Sequence, residues 1–203
     1  MGRYDAEIQK AYDAKILDPI KHGQLLLQID HWAARAGINP KWIWTSAFFS
    51  LEQRDISYLR CCLRTHSFNF MDGKPGVAYV GFRDLTIKMS AMAGALVRAF
   101  YDARVMTSQQ VVELIEDHEQ PEASLLLIPD FFITKNFGEY DHKRIAALTG
   151  AVTYRVQKGL QTVVHIDDLN QFKATFGKRA YSLIKSSMVI FDVGSELEIG
   201  GDE

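Results

Sequence analysis

The sequence predicts an α/β protein with a parallel five-stranded sheet between two layers of helices, preceded by a helical N-terminal segment. Between residues 76 and 193, five short apolar runs alternate with stretches of helical periodicity. Such alternation is typical of a parallel sheet that is buried on both faces. Before that region, the apolar residues recur at helical spacing. The two patterns together predict a three-layer αβα core that follows a group of helices.

The N-terminal helices are predicted from apolar spacing and from residues that begin or end helices. Gln24–Ala36 has apolar residues on one helical face, and Gly37 can terminate that helix in a left-handed conformation. Asn39-Pro40 can begin the next helix. The tetrad 50–53 (SLEQ) resembles a capping box that opens a helix as far as Leu63. A turn over residues 72–76 (DGKPG) separates these helices from the first strand.

The core elements follow in a regular order, with each apolar run followed by a helix or by a short connection. The predicted elements are strand Val77–Val80, helix Ser90–Asp102, strand Arg104–Met106, helix Ser108–His118 capped by Thr107, strand Leu125–Ile128, helix Asp141–Lys158, strand Thr162–Ile166, helix Leu169–Phe176, helix Arg179–Ser186 and strand Met188–Val193.

Composition favours a soluble globular protein. Of the 203 residues, 47% are hydrophobic, and the formal net charge is −2, so the molecule as a whole does not attract nucleic acid strongly. The charge is uneven, because residues 131–190 hold nine Lys or Arg against four Asp or Glu. The two cysteines, Cys61 and Cys62, are adjacent and are predicted to be reduced thiols buried on a helix. The N-terminus has no signal-peptide core, and no apolar run approaches a membrane span, so we expect a cytoplasmic protein.

Three regions are predicted from these patterns. Residues 1–72 form a helical segment for docking a partner, residues 73–193 form the α/β core, and residues 194–203 form an acidic tail that we expect to be disordered. The N-terminal segment is rich in aromatic residues, notably Trp32, Trp42 and Trp44. They suit either a core between the helices or a surface that contacts a partner.

The core resembles the AAA+ domain of bacterial helicase loaders of the DnaC/DnaI type and of the related IstB transposition ATPases. Met92–Phe100 (MAGALVRAF) is similar to the helix after the phosphate loop, and Leu125–Asp130 (LLLIPD) is similar to the strand that carries a magnesium-binding acid. Ala147–Leu169 and Phe176–Ile184 (FGKRAYSLI) resemble two later family motifs, in the same order. The resemblance implies a P-loop NTPase fold of the AAA+/RecA-like kind.

The phosphate loop that this resemblance implies lacks most of its chemistry. A phosphate loop needs glycines for backbone contacts, a Lys for the β- and γ-phosphates, and a Ser or Thr for magnesium. Gly81 begins the loop, but Thr86 and Ile87 or Lys88 stand where the later Gly and Lys belong. Lys88 and Ser90 have usable side chains, yet they are one residue too far apart. We therefore expect nucleotide binding at Gly81, Lys88 and Ser90 to be lost.

Three further family positions are altered. Pro129 replaces the metal-binding acid, which leaves Asp130 as a remnant base or a capping residue. Asp167-Asp168 replaces the Ser-Asn pair that senses the γ-phosphate, and two carboxylates would repel a triphosphate. Leu183 stands at the position of the trans-acting arginine, where only the preceding Arg179 is retained. Joint loss of these elements favours a scaffold that no longer hydrolyses ATP, with no catalytic residue and no cofactor.

The resemblance implies a role in DNA replication or in the biology of a mobile element or phage. The leading hypothesis is a pseudo-ATPase accessory protein that binds DNA and a protein partner, such as a helicase or another AAA+ ATPase, with homo-oligomers possible. One alternative is a divergent active loader that uses ATP and magnesium through Lys88, Ser90 and Asp130. Another is a protein-interaction subunit or inhibitor that mimics a loader. A two-metal nuclease built on Asp130, Asp167 and Asp168 is the remaining alternative, although the histidines show no metal-ligand spacing and no metal site is predicted.

Candidate contacts to the phosphate backbone are the basic residues of the second half of the chain. They are Lys135, Lys143, Arg144, Arg155, Lys158, Lys178, Arg179 and Lys185.

Overall fold

The predicted parallel sheet is present. A computed structural model describes residues 18–44, 51–63 and 73–194, and in it five parallel strands lie in the order β2-β3-β4-β1-β5. The strands are β1 (Gly76–Val80), β2 (Ala103–Val105), β3 (Leu125–Phe132), β4 (Gln161–Ile166) and β5 (Met188–Asp192). Every pairing is parallel, so the carboxyl ends of all five strands meet at one edge of the sheet.

Helices precede the sheet and connect its strands. Before it lie α1 (Pro19–Leu27), α2 (Ile29–Ala36), α3 (Lys41–Trp44) and α4 (Gln53–Cys62). The connections contain α5 (Thr86–Arg98), α6 (Ser108–Glu116), a 3₁₀ helix (Thr134–Glu139), α7 (His142–Gln157) and α8 (Leu169–Ser187). In the described residues, no helix is both long enough and apolar enough to cross a membrane.

Alternating side chains of the strands build the two faces of the core. Val77 and Tyr79 of β1 lie in a cluster with α4 and α5, whereas Ala78 lies in a second cluster with α6, α7 and α8. Successive strand residues point to opposite faces of a sheet, so this alternation gives the predicted three layers. The residues from Leu125 to Ile128 are fully buried, as expected of a strand covered by helices on both faces.

The N-terminal helices pack directly on the α/β core through two glycines. Gly94 of α5 lies so close to α3 that an added Cβ would come within 2.1 Å of the Trp42 carbonyl oxygen. Gly37 adopts a left-handed conformation at the end of α2, and an added Cβ there would meet the Val105 carbonyl oxygen of β2 at 2.2 Å. Both positions therefore require glycine for close backbone approach.

Several element boundaries differ from the prediction. The predicted helix Gln24–Ala36 is two helices, α1 and α2, which meet at Gln28. The helix after β1 begins at Thr86 rather than Ser90, so the connection is a short loop over residues 81–85. The two predicted helices after β4 form one element, α8, interrupted at Gly177. Residues 1–17, the start of the SLEQ tetrad and the predicted tail after Gly194 lie outside the described residues.

Strand β3 continues beyond the predicted end, past Pro129. Proline lacks the N–H that a central strand would donate. The pairing of β3 with β4 accordingly shifts register between Ile128 and Phe132, and β2 pairs with β3 only as far as Leu127. Beyond that point, Phe131 and Phe132 pack against rings of α8, and this aromatic contact holds the strand end at the carboxyl edge.

Candidate functional site

A cleft lies at the carboxyl edge of the sheet, between the ends of β1, β3 and β4. Ligands of open α/β folds bind at this edge, and the resemblance predicts the nucleotide site here. The cleft has a volume of about 490 Å³ and is lined by Phe82, Asp84, Thr86, Pro129, Asp130, Ile133, Thr134, Lys135, His165 and Asp167.

A carboxylate of the chain itself occupies the start of α5. Oδ1 of Asp84 accepts a hydrogen bond from the backbone N–H of Thr86 at 2.9 Å. That hydrogen bond is the main reason why the pKa of Asp84 lies below its ordinary value. In a phosphate loop the free N–H groups at this helix start face the phosphate, but here one of them is bonded to an aspartate.

Lys88 faces away from the cleft and is committed to ion pairs with α4. Its Nζ lies 2.9 Å from Oε1 of Glu52 and 3.1 Å from Oδ2 of Asp55, and its side chain is 7% exposed. Asp55 is fully buried and accepts hydrogen bonds from the Tyr79 hydroxyl and the Glu52 backbone N–H. This network joins α4, α5 and β1, and it uses the ammonium that a phosphate would need.

The other expected loop residues do not line the cleft either. Ser90 is buried within α5, with 8% of its surface exposed. Ile87 is exposed and Met89 is fully buried in the core, so neither side chain fills the cleft. Gly81 has φ +138°, and an added Cβ would lie 2.9 Å from the Gly194 carbonyl oxygen. Gly81 therefore requires glycine, because of its backbone conformation and the close approach of the chain after β5.

His165 joins the strand ends beneath the cleft. Its Nδ1 lies 2.9 Å from the Pro129 carbonyl oxygen, and its Nε2 lies 2.7 Å from the Gly81 carbonyl oxygen. Carbonyl oxygens only accept hydrogen bonds, so a ring nitrogen that carries a proton donates to the carbonyl that it faces. The backbone of Pro129 thus serves this contact where the family has a metal ligand.

Asp130 caps the start of α6. Oδ1 accepts the backbone N–H of Ser108 at 2.7 Å, and Oδ2 accepts the Ser108 hydroxyl at 3.0 Å. Arg144 of α7 donates to the same hydroxyl oxygen at 2.7 Å. A carboxylate that accepts a backbone N–H at a helix N-terminus stabilises that helix. This agrees with the capping role that the sequence left open for Asp130.

The two acids at the end of β4 have separate local partners. Oδ2 of Asp167 accepts hydrogen bonds from the backbone N–H of Thr134, at 2.6 Å, and from its hydroxyl. Oδ1 of Asp167 is buried and has no hydrogen-bond partner. Asp168 instead caps α8, accepting the N–H groups of Asn170 and Gln171 at 2.7 and 3.0 Å.

The acids do not assemble into a metal centre. Across residues 18–44, 51–63 and 73–194, no three His, Cys, Asp or Glu side chains are grouped so that they could hold a metal ion. The two-metal nuclease alternative therefore has no support in this part of the chain.

The predicted phosphate-binding residues do not form one surface. Lys135, Lys143 and Arg144 lie at the carboxyl edge, where the 3₁₀ helix and α7 begin. Lys158 follows the other end of α7, about 24 Å away for 16 residues at ~1.5 Å each. Lys185 likewise lies near the amino edge, one turn before β5. Lys178 and Arg179 are exposed after the break in α8.

Arg155 does not fit the predicted role. It is the largest of the fully buried side chains. Its guanidinium donates to the carbonyl oxygens of Pro121 and Gln161 and to the Thr162 hydroxyl. Its burial lowers its pKa to about 10. Arg155 ties the end of α7 to the start of β4 and cannot reach a phosphate backbone from this position.

The three tryptophans differ in burial. Trp44 is buried in a small core with Leu25, Ile43 and Val97. Trp32 and Trp42 are only partly buried, and Trp32 borders a cavity of about 190 Å³ between α2 and the end of α5.

Sequence reasoning missed the residues that close the nucleotide site. Asp84 has a local signal, because an Asp two residues before a helix start often accepts backbone N–H groups there. Glu52 and Asp55 have no such signal for Lys88, since 33 or more positions separate them along the chain. His165 likewise meets its two carbonyl partners only through the parallel register of the sheet.

Strand order and cleft position together define the fold class, which is a three-layer αβα core with the AAA+-like arrangement of strands, preceded by helices. No protein-family model matches the chain, and no curated protein matches its sequence. Solved structures do resemble it, and the four described below are 9–18% identical to it.

Two DnaA structures are among them. The chain matches AMPPCP-bound DnaA from Aquifex aeolicus with a TM-score of 0.54 and 13% identity, covering 76% of this chain and 50% of that one. It matches domain III of the Thermotoga maritima replication initiation protein DnaA with a TM-score of 0.52 and 18% identity, covering 77% and 68%. These likenesses confirm the predicted AAA+ fold.

A Streptococcus pyogenes protein described as a proposed primosome component matches with a TM-score of 0.53 and 9% identity, covering 80% of this chain and 94% of that one. A DNA replication initiation factor matches with a TM-score of 0.51 and 10% identity, covering 68% of this chain. The chain spans about half or less of the length of two of these proteins, 43% of the initiation factor and 50% of the Aquifex DnaA.

Proposed function

We propose that this protein is a non-hydrolysing AAA+-like accessory factor of DNA replication that acts by binding a protein partner and DNA. The observation that carries the proposal is the state of the nucleotide site. Asp84 is bonded to the helix start where phosphate would bind, and Lys88 is paired with Glu52 and Asp55. A triphosphate would have to displace Asp84 from the start of α5, and the Lys88 ammonium would not be available to it.

The charge of the cleft supports the same proposal. Three of its lining residues are aspartates, and carboxylates repel an approaching triphosphate. Each aspartate also has a structural partner on the chain, so the acids are retained as parts of the fold. A loader-like role without ATP turnover would then depend on binding surfaces rather than on catalysis.

A nucleotide-binding assay tests this proposal directly. We expect no saturable binding of a fluorescent ATP analogue at up to millimolar concentration with magnesium, and no phosphate release above that of buffer. Phosphate release by the wild-type protein that disappears in Asp130→Asn would overturn it, and would favour the divergent active ATPase instead.

The DNA-binding part of the proposal is supported by exposed basic side chains at the carboxyl edge. Lys135 and Lys143 are exposed, and Arg144 is partly exposed beside them in the chain. Charged residues that contact the DNA backbone give binding that depends steeply on salt and little on sequence. The structural likeness to replication proteins also supports such a role.

Fluorescence anisotropy with single- and double-stranded oligonucleotides between 50 and 200 mM salt tests this part. The slope of log K against log salt should fall by about 0.7–0.9 for each phosphate contact that is lost. We expect Lys135→Ala/Lys143→Ala to lower both affinity and slope. Lys21→Ala/Lys41→Ala, which changes two exposed lysines of the N-terminal helices, is the matched control and should change neither. Equal binding by both variants would contradict the assignment.

A further inference from the structure

The cleft at the carboxyl edge has the charge of a site for a cation. Asp84, Asp130 and Asp167 line it, against Lys135 and the ring of His165. Lys135 is an exposed side chain, so its ammonium can remain in water. The arrangement is the reverse of a phosphate site, in which cations and free N–H groups surround an anion.

One of these carboxylates is incompletely satisfied. Asp167 is 6% exposed, and its Oδ1 lacks any hydrogen-bond partner, while Oδ2 takes both donors of Thr134. A buried carboxylate oxygen without a donor is costly, and native structures rarely retain one without a reason. A cation beside the Asp167 carboxylate would offset this cost.

Apolar residues also line the cleft. Phe82 is one of them and is 63% exposed, and Pro129 and Ile133 are the others. Aromatic side chains are enriched where proteins meet. An aromatic ring at the mouth can also hold a guanidinium against its face.

We infer that the cleft is a docking site for an arginine side chain of a protein partner. The inference rests on the proposed function, since it requires that the cleft does not hold a nucleotide. A guanidinium has five donors and is weakly hydrated, so it can pair with carboxylates at a smaller desolvation cost than an ammonium. It can also stack on Phe82 while its methylene groups contact the apolar lining residues Pro129 and Ile133.

A free metal ion fits the cleft less well. The acids are not grouped as metal ligands in the described residues, and Asp84 and Asp130 are engaged by backbone N–H groups. The cleft volume of about 490 Å³ is in the range of sites that hold organic groups. An arginine presented on a loop or helix end of the partner matches that size together with the charge.

Amide NMR with small probes tests the inference on the full chain. The probes are N-acetyl-arginine methylamide, its uncharged citrulline analogue, magnesium chloride and ATP. We expect saturable shifts of the Thr86, Ser108 and Thr134 amides with the arginine probe, at millimolar affinity, and none with the citrulline probe. Asp167→Asn should weaken binding about tenfold or more, because a charge-assisted contact is lost. Asp30→Asn, an exposed aspartate outside the cleft, should leave it unchanged.

Each result separates the inference from the proposed function. Absence of saturation with the arginine probe, or equal shifts with citrulline, would overturn the docking site and leave the proposed function standing. Shifts of the same amides by magnesium alone would overturn the choice of an arginine. Saturable shifts of these amides by ATP would overturn the proposed function together with this inference.

Discussion

Replacing Lys88 by methionine should destabilise the fold, although the same change in an ATPase would chiefly abolish turnover. Methionine keeps most of the side-chain volume and removes the ammonium. Asp55, which is fully buried, then loses its charged partner at 3.1 Å. Removing one member of a buried ion pair costs about 3–5 kcal/mol, because the remaining charge is left uncompensated. At roughly 2–4 °C per kcal/mol for a chain of this size, the melting temperature should fall by about 6–20 °C.

Thermal and urea unfolding followed by circular dichroism measure this loss. The matched control is Arg35→Met, which breaks an ion pair with Asp102 at 3.2 Å whose two side chains are 48% and 36% exposed. Exposed pairs contribute about 0–1 kcal/mol, so the control should change the melting temperature by at most a few degrees.

A double-mutant cycle with Asp55→Asn isolates the pair. Because the asparagine carries no charge, Lys88→Met/Asp55→Asn should cost less than the sum of the single variants, by roughly 0.5–3 kcal/mol. If Lys88→Met unfolds no more easily than Arg35→Met, the ammonium is not held by α4. Lys88 would then be available to a phosphate, and the argument against nucleotide binding would fail.

Three further predictions follow from the same contacts. Hydrogen bonding to Lys88 lowers the pKa of Glu52 below its ordinary value of 4.5. The ionised carboxylate therefore stabilises the fold above pH 4.5, and this stabilisation is lost as the pH falls through the lowered pKa. In acid unfolding curves, Glu52→Gln should lose less stability than the wild-type protein over that range. Burial raises the pKa of Cys62 to about 12, which reduces its thiolate fraction about a thousandfold. Iodoacetamide at pH 8, followed by mass spectrometry, should therefore label the partly buried Cys61 first. Faster labelling of Cys62 would contradict this prediction. Arg155→Met should cost about 3 kcal/mol or more in urea unfolding, while DNA binding by the folded variant should equal that of wild type.

The alternation of short apolar runs with helical stretches was sufficient to predict the sheet. The residues from Leu125 to Ile128 are apolar because both faces of β3 are covered, and that requirement is visible in a single sequence. Thr107 and Asp141 could also be recognised as helix starts, because each side chain accepts a backbone N–H only three residues further along the chain. Local chemistry of this kind transfers directly from sequence to structure.

Contacts between distant segments could not be predicted in the same way. Nothing near Arg155 in the sequence indicates that Pro121 and Gln161 surround it, and by sequence alone it does not differ from the exposed basic residues of this region. The pairing of Lys88 with Asp55 likewise depends on where α4 packs. The prediction that Lys88 is unlikely to bind phosphate rested on its spacing from Ser90, whereas the structure supplies a different reason, which is the ion pair.

The altered residues of the nucleotide site have individual structural roles, and this argues against simple decay of an ATPase. Decay would leave polar groups unpaired in a cleft, and burying such groups costs free energy. Instead Asp84, Asp130 and Asp168 each receive backbone N–H groups at a helix start. Oδ1 of Asp167 is the exception among these four acids. The other oxygen of Asp167, Oδ2, accepts both donors of Thr134, so this carboxylate too is held by the fold.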